Sequence, residues 1–189
     1  MCRFLLKYNK IERGKNENET FSNIINFNPI IFIGCDEDSI TDVLLGSNSV
    51  TLSGDINKSF DAVSLAGMVY EFSTFSFVLV MQPEDSDPNS FEDYFTLIKQ
   101  SDVLPTVGNY NIEYNGYGLN LSDDFVGYYA ANDTTMYFMH SGSVNITESN
   151  TLKIAGTFDI SGYYFFLVPD STRELKITGK FSTIPVELD

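Results

Sequence analysis

His140 is the single histidine of the chain. A two-histidine metal site is therefore excluded, and a Ser-His-Asp triad would depend on His140 and the adjacent Ser141. Its place at the end of an apolar run, just before Gly142, reads as a partly exposed surface histidine, and no catalytic residue is assigned. Asp85, Asp87 and Asn89 put oxygen ligands at alternate positions, as an EF-hand loop does, with Glu92 and Asp93 close behind. The sixth position is Ser90 instead of glycine and the twelfth is Thr96 instead of glutamate, so the motif is incomplete. The segment reads as a solvated acidic loop, with an irregular calcium site as the competing reading. No metal ligand and no cofactor is assigned. A glycosidase-type carboxylate pair stays open, because sequence does not give separations between acids.

Tyr110, Tyr114 and Tyr117, interleaved with Asn109, Asn111 and Asn115, combine flat rings with amides in the manner of sugar-binding surfaces. Tyr110, Tyr114, Asn115 and Tyr117 form the candidate ligand surface. The competing reading places these rings in the core with their hydroxyls at its edge.

The elements that must position such residues are strands. Apolar residues past Ser49 fall into short runs separated by turn residues. The spacing predicts strands over Val50–Ser53, Phe60–Ala66, Phe72–Met81, Phe91–Gln100 and Val107–Asn115. Hairpins are expected over Phe125–Ala131 with Thr135–His140, and over Gly142–Thr147 with Thr151–Ile160. Tyr163–Val168 and Leu175–Ile184 follow. The run to Met81 is apolar on both faces toward its end, which predicts a central strand. About ten short antiparallel strands imply an all-β domain. It is expected as a β-sandwich, with a closed antiparallel β-barrel as the alternative, since one flat sheet would leave an apolar face in water.

The 189 residues include 16 Phe, 11 Tyr and no Trp, and hydrophobic residues make up 43%, enough to fill one core. The formal net charge is -15. From Cys35 onward the only cations are Lys58, Lys99, Lys153, Arg173, Lys176 and Lys180, against 23 acids. Phosphate backbones would repel such a domain, so nucleic-acid binding is excluded as a reading. Only Cys2 and Cys35 occur, which leaves the β-patterned body without a disulfide framework or a metal knuckle.

Ile24 to Gly34 is a short apolar run that ends in Cys35 and passes at once into Asp36, Glu37 and Asp38. It is too short to span a bilayer as a helix, which takes about 20 residues. Its shape is that of a signal-peptide core with a cleavage site. Phe32, Ile33, Gly34 and Cys35 resemble the lipobox of bacterial lipoproteins, and the acids that follow resemble the export signal of Bacteroidetes surface lipoproteins. That resemblance implies a lipid on Cys35 and an outer-membrane, outward-facing location. Gly142 to Thr147, Thr151 to Phe158 and Leu175 to Phe181 are similar to the last strands of small uncharacterised Bacteroidetes lipoproteins. Ser39, Thr134 and Ser171 stand in Asp-Ser/Thr triplets that resemble the O-glycosylation signal of exported proteins from the same group. The expected organisation is a signal-peptide-like segment over 1–34, an acidic tether over 35–49 that lets the body stand off the surface, and one β domain over 50–189. The polar stretch from Arg13 to Asn23 does not fit a signal peptide, and a misplaced start would account for residues 1 to about 23.

Together these features read as a non-enzymatic, lipid-anchored surface binding module, with a glycan as the leading ligand. The alternatives are a structural or accessory subunit of an outer-membrane protein complex and a hydrolase with an unrecognised carboxylate pair.

Overall fold

The computed structural model describes residues 48–71, 74–86, 92–113, 124–132, 134–166 and 168–188. The strands are β1 (Ser49–Gly54), β2 (Lys58–Glu71), β3 (Thr74–Pro83), β4 (Tyr94–Gln100), β5 (Gly108–Asn111), β6 (Val126–Asn132), β7 (Thr135–Asn150), β8 (Lys153–Phe166), β9 (Val168–Thr183) and β10 (Pro185–Leu188). Cys35 and Ser39 lie outside the described residues, as do Tyr114, Asn115 and Tyr117.

Each strand pairs antiparallel with its neighbour in the order β1-β9-β8-β7-β6-β4-β3-β2, and β1 pairs with β2 as well. Eight strands thus close on themselves, and the closed barrel forms in place of the sandwich. The physical reason lies in β1, which gives one edge to β2, with Val50 opposite Phe60, and the other to β9, with Val50 opposite Gly179. No open edge is left there. A barrel of this strand number has an interior just wide enough for side chains to fill. Val50, Phe77, Leu79, Phe95, Tyr129, Tyr137, Ile160 and Leu175, among others, occupy it at zero or near-zero exposure.

β5 and β6 share one position in the wall. β6 pairs with the first part of β7 (Tyr128 opposite Phe138), and β5 pairs further along it (Tyr110 opposite Val144). β10 lies parallel to β2, with Pro185 opposite Ala66. It takes up the edge of β2 beyond the residues that β1 covers.

The strands expected over Thr135–His140 and Gly142–Thr147 are one strand, β7. A bulge between Met139 and Ser141 adds a residue on β7, and Gly142 follows at φ 112°. The inward positions therefore change from odd numbers (Tyr137, Met139) to even ones (Val144, Ile146). Alternation that changes phase looks in sequence like a break. Of the strand expected over Tyr163–Val168, Tyr163 to Phe166 continues β8 through Gly162, where Met139 is packed in the place of a side chain, and Val168 opens β9.

Strands joined by a hairpin run antiparallel, so their turns sort onto two ends, whereas β5–β6 and β9–β10 join strands that run the same way. The β1–β2, β3–β4, β6–β7 and β8–β9 connections lie at one end, called the mouth. The β2–β3, β4–β5 and β7–β8 connections lie at the opposite rim.

Candidate functional site

Polar and aromatic side chains converge at the mouth because β6, β7 and β8 extend their inward rows there with tyrosines instead of aliphatics. Tyr129 and Tyr137 are fully buried, with ring centroids 6.3 Å apart, and Tyr164 meets Tyr137 edge-on at 5.8 Å. A buried phenol needs a hydrogen-bond partner. Tyr137 donates its hydroxyl to Asp55 Oδ2, and Tyr129 donates to Asp93 Oδ1 at 2.5 Å.

Each carboxylate also holds a cation. Arg173 Nε donates to Asp55 Oδ2 at 2.9 Å, with Nη2 2.8 Å from the same oxygen, while the guanidinium lies 3.9 Å from the centroid of the Tyr164 ring. Lys58 Nζ pairs with Asp93 Oδ2. Asp93 adopts a φ of 56°, a conformation that Asp and Asn tolerate better than most residues. The turn containing Asp55 is fixed by its amide, which donates to the Glu174 carbonyl at 2.9 Å, and by Asn57 Nδ2, which donates to the Gly54 carbonyl at 2.9 Å.

The Tyr137 hydrogen bond, followed by that of Arg173, holds the Asp55 carboxyl below the ordinary carboxylate range. Burial, reinforced by the Asp55 carboxylate, pushes the Tyr137 phenol up to about 12. Burial also raises Tyr129, with Asp93 adding to it. The cluster thus holds the Asp55 carboxylate ionised and the Tyr129 and Tyr137 phenols neutral.

Beside this cluster, at the same end, lies a cleft of about 560 Å3 lined by Lys58, Phe60, Pro83, Asp85, Ser86, Glu92 and Asp93. Its size falls within the range of small-molecule sites. Phe60 supplies an aromatic ring, Lys58 a donor, and Asp85 and Asp93 supply acceptors. Ser86 closes a tight turn, with its hydroxyl donating to the Pro83 carbonyl at 2.8 Å.

The acidic loop that resembled a calcium site contributes Asp85, Glu92 and Asp93 to this cleft; Asp87 and Asn89 lie outside the described residues. Among the described residues no group of three or more acids, histidines or cysteines is placed to hold a metal ion.

His140 stands on the outer face of β7, stacked on Tyr163 at 3.9 Å and 18°, with Nε2 3.8 Å from Glu174 Oε1. Tyr110 lies in the part of the barrel away from the mouth, with its hydroxyl donating to the Thr106 carbonyl at 2.8 Å and its ring edge-on to Phe125 at 5.5 Å. It packs against the core and is not brought to the cleft. Thr134 and Ser171 are both exposed, in or beside the β6–β7 and β8–β9 turns, and so flank the mouth.

Sequence reasoning missed Asp55, Phe60, Tyr129, Tyr137 and Arg173 as site residues. The one available signal was inward-facing tyrosine at the ends of strands otherwise filled with aliphatics. The chain matches no protein-family model, no curated protein and no solved structure.

Proposed function

We propose that this protein is a non-enzymatic surface binding module, anchored by a lipid on Cys35 to the outer membrane and facing outward, whose cleft at the barrel mouth takes a saccharide. The observation that carries this reading is the combination in one cleft of the Phe60 ring with Lys58, Ser86, Asp85 and Asp93. Saccharides present apolar C–H faces that stack on rings, and hydroxyls that both donate and accept. A site that mixes a ring with charged donors and acceptors suits them. Asp93 is held on both oxygens, by Tyr129 and Lys58, so its orientation is set before a ligand arrives.

The anchor agrees with this placement, since β1 leads from the Cys35 side of the chain toward the mouth and presents the cleft at the end of the strand away from the tether.

The test is a screen of immobilised oligosaccharides with the full chain, followed by calorimetric titration of any ligand found. Phe60→Ala and Asp93→Asn are each expected to weaken binding about tenfold, the effect of about 1.4 kcal/mol, while Leu152→Ser at the far rim leaves it unchanged. Binding to no saccharide, or binding indifferent to both cleft substitutions, would overturn the reading.

A further inference from the structure

Among the described residues the exposed large apolar side chains are Tyr70, Phe75, Val103, Val107 and Leu152. All five lie at the rim opposite the mouth. Tyr70 and Phe75 face each other across the β2–β3 hairpin, 60% and 48% exposed, with ring centroids 4.6 Å apart. Val103 and Val107 stand in the β4–β5 connection at 59% and 63%, and Leu152 caps the β7–β8 turn at 79%. Single exposed apolar residues need no explanation, but confinement of all of them to one end does.

We propose that this rim is a membrane-contact surface that seats the barrel on a neutral, zwitterionic lipid bilayer, in place of the stand-off expected from the tether. Three connections at separate places around the barrel each offer apolar tips at the same end. A bilayer is an occupant wide enough to meet separate tips at one end together. The chain leading to Cys35 argues for the same occupant. The described chain starts at Asn48, and the 13 residues back to Cys35 reach at most about 45 Å when fully extended. β1 runs from Asn48 toward the mouth, so the tether enters on the rim side of that strand.

The charge at the rim fits a neutral surface. Lys153, next to Leu152, is paired with Glu148 at 2.8 Å and so brings no net charge, and exposed Asp102 beside Val103 would face choline ammonium groups. A net charge of -15 would work against an anionic surface. The exposure pattern owes nothing to a lipid on Cys35, but the choice of a bilayer as occupant draws on that reading.

The test uses the full chain with Cys35→Ser, so that no acyl chain contributes, mixed with phosphatidylcholine vesicles at millimolar lipid. The chain has no Trp, so Leu152→Trp provides a single reporter at the rim, and Thr134→Trp provides one at the mouth. The expected result is a blue-shifted rim signal that brominated phosphatidylcholine quenches, no quenching at the mouth, and weaker quenching when anionic lipid is added. Phe75→Ser combined with Val107→Ser is expected to lower vesicle partitioning about tenfold. Absence of rim quenching, or equal quenching at both ends, would overturn the proposal. So would a rim signal that shifts with protein concentration and not with lipid, because that would assign the rim to a protein partner. Absence of lipid labelling on the unsubstituted chain, alongside preserved rim quenching, would count against the anchor and leave the membrane-contact surface standing.

Discussion

Arg173 and Asp55 stand 118 residues apart in sequence, yet the guanidinium of one holds the carboxylate of the other through two nitrogens at 2.9 and 2.8 Å. The contact ties the turn after β1 to the start of β9 at the mouth, and the Tyr137 hydroxyl closes it from within the barrel. Arg173→Met keeps much of the aliphatic stem and removes the guanidinium that pairs with Asp55 and lies over Tyr164. It is expected to lower the urea midpoint with the denaturant slope unchanged. In a double-mutant cycle with Tyr137→Phe the two losses should be less than additive, because both act on one Asp55 oxygen. Strict additivity would show that the three groups do not act as a unit.

Gly142→Ala is expected to be costly in a way that Gly108→Ala is not. Gly142 combines a φ of 112° with a backbone that runs against the Asp159 carbonyl oxygen, so an added methyl group meets both strain and a clash. A loss of about 2 kcal/mol or more is expected in equilibrium unfolding. At Gly108 the nearest atom to an added methyl is 4.0 Å away, on the Tyr110 ring. A change there of about 0.5 kcal/mol or less is expected. Equal losses at the two positions would mean that the bulge in β7 relaxes freely.

The same bulge explains where the sequence misleads. The apolar runs locate β1, β3, β4 and β6 within two or three residues, because in those strands the inward row keeps one parity. β7 is misread as two strands because its parity changes at His140 to Gly142. Barrel closure is not legible either, since the alternation of Val50 and Leu52 shows that β1 has one buried face and says nothing about its two neighbours. Tyr110 looks like a sugar platform in sequence and turns out to pack on Phe125. The mouth cluster was out of reach for a simpler reason. Ion pairs between residues as distant as Asp55 and Arg173, or Lys58 and Asp93, leave no periodic trace.

Asn48 is 3% exposed and holds the seam where β1 begins. Its Nδ2 donates to Ser64 Oγ at 2.9 Å, its Oδ1 accepts from the Ser182 amide at 2.6 Å, and its carbonyl accepts from the Ala62 amide at 3.2 Å. Asn48→Ala leaves the Ser182 amide and the Ser64 hydroxyl buried without that partner, for a loss of about 1–3 kcal/mol. Hydrogen exchange should show the Ser182 amide losing protection ahead of those at the mouth. A variant as stable as the parent chain would mean that water replaces the side chain at the seam.

The mouth also fixes how stability responds to pH at both extremes. Asp55 is held below its ordinary value of 3.8, so its folded form binds a proton less readily than its unfolded form. Its contribution is present above that unfolded value and is lost as the pH falls through the lower folded one. Tyr137 behaves in the opposite sense, raised from 10.0 to about 12 by burial and by Asp55. The unfolded phenol releases its proton first, so the stabilisation is complete below about pH 10 and is lost as the pH rises toward about 12. Tyr129, also raised, adds to the alkaline limb. Urea unfolding across the pH range should therefore show one loss beginning below about pH 4 and another above about pH 10. Tyr137→Phe should flatten the alkaline slope, while Asp55→Asn should remove part of the acid limb and ease Tyr137 ionisation. An alkaline slope unchanged by Tyr137→Phe would show that the phenol is not the group that titrates there.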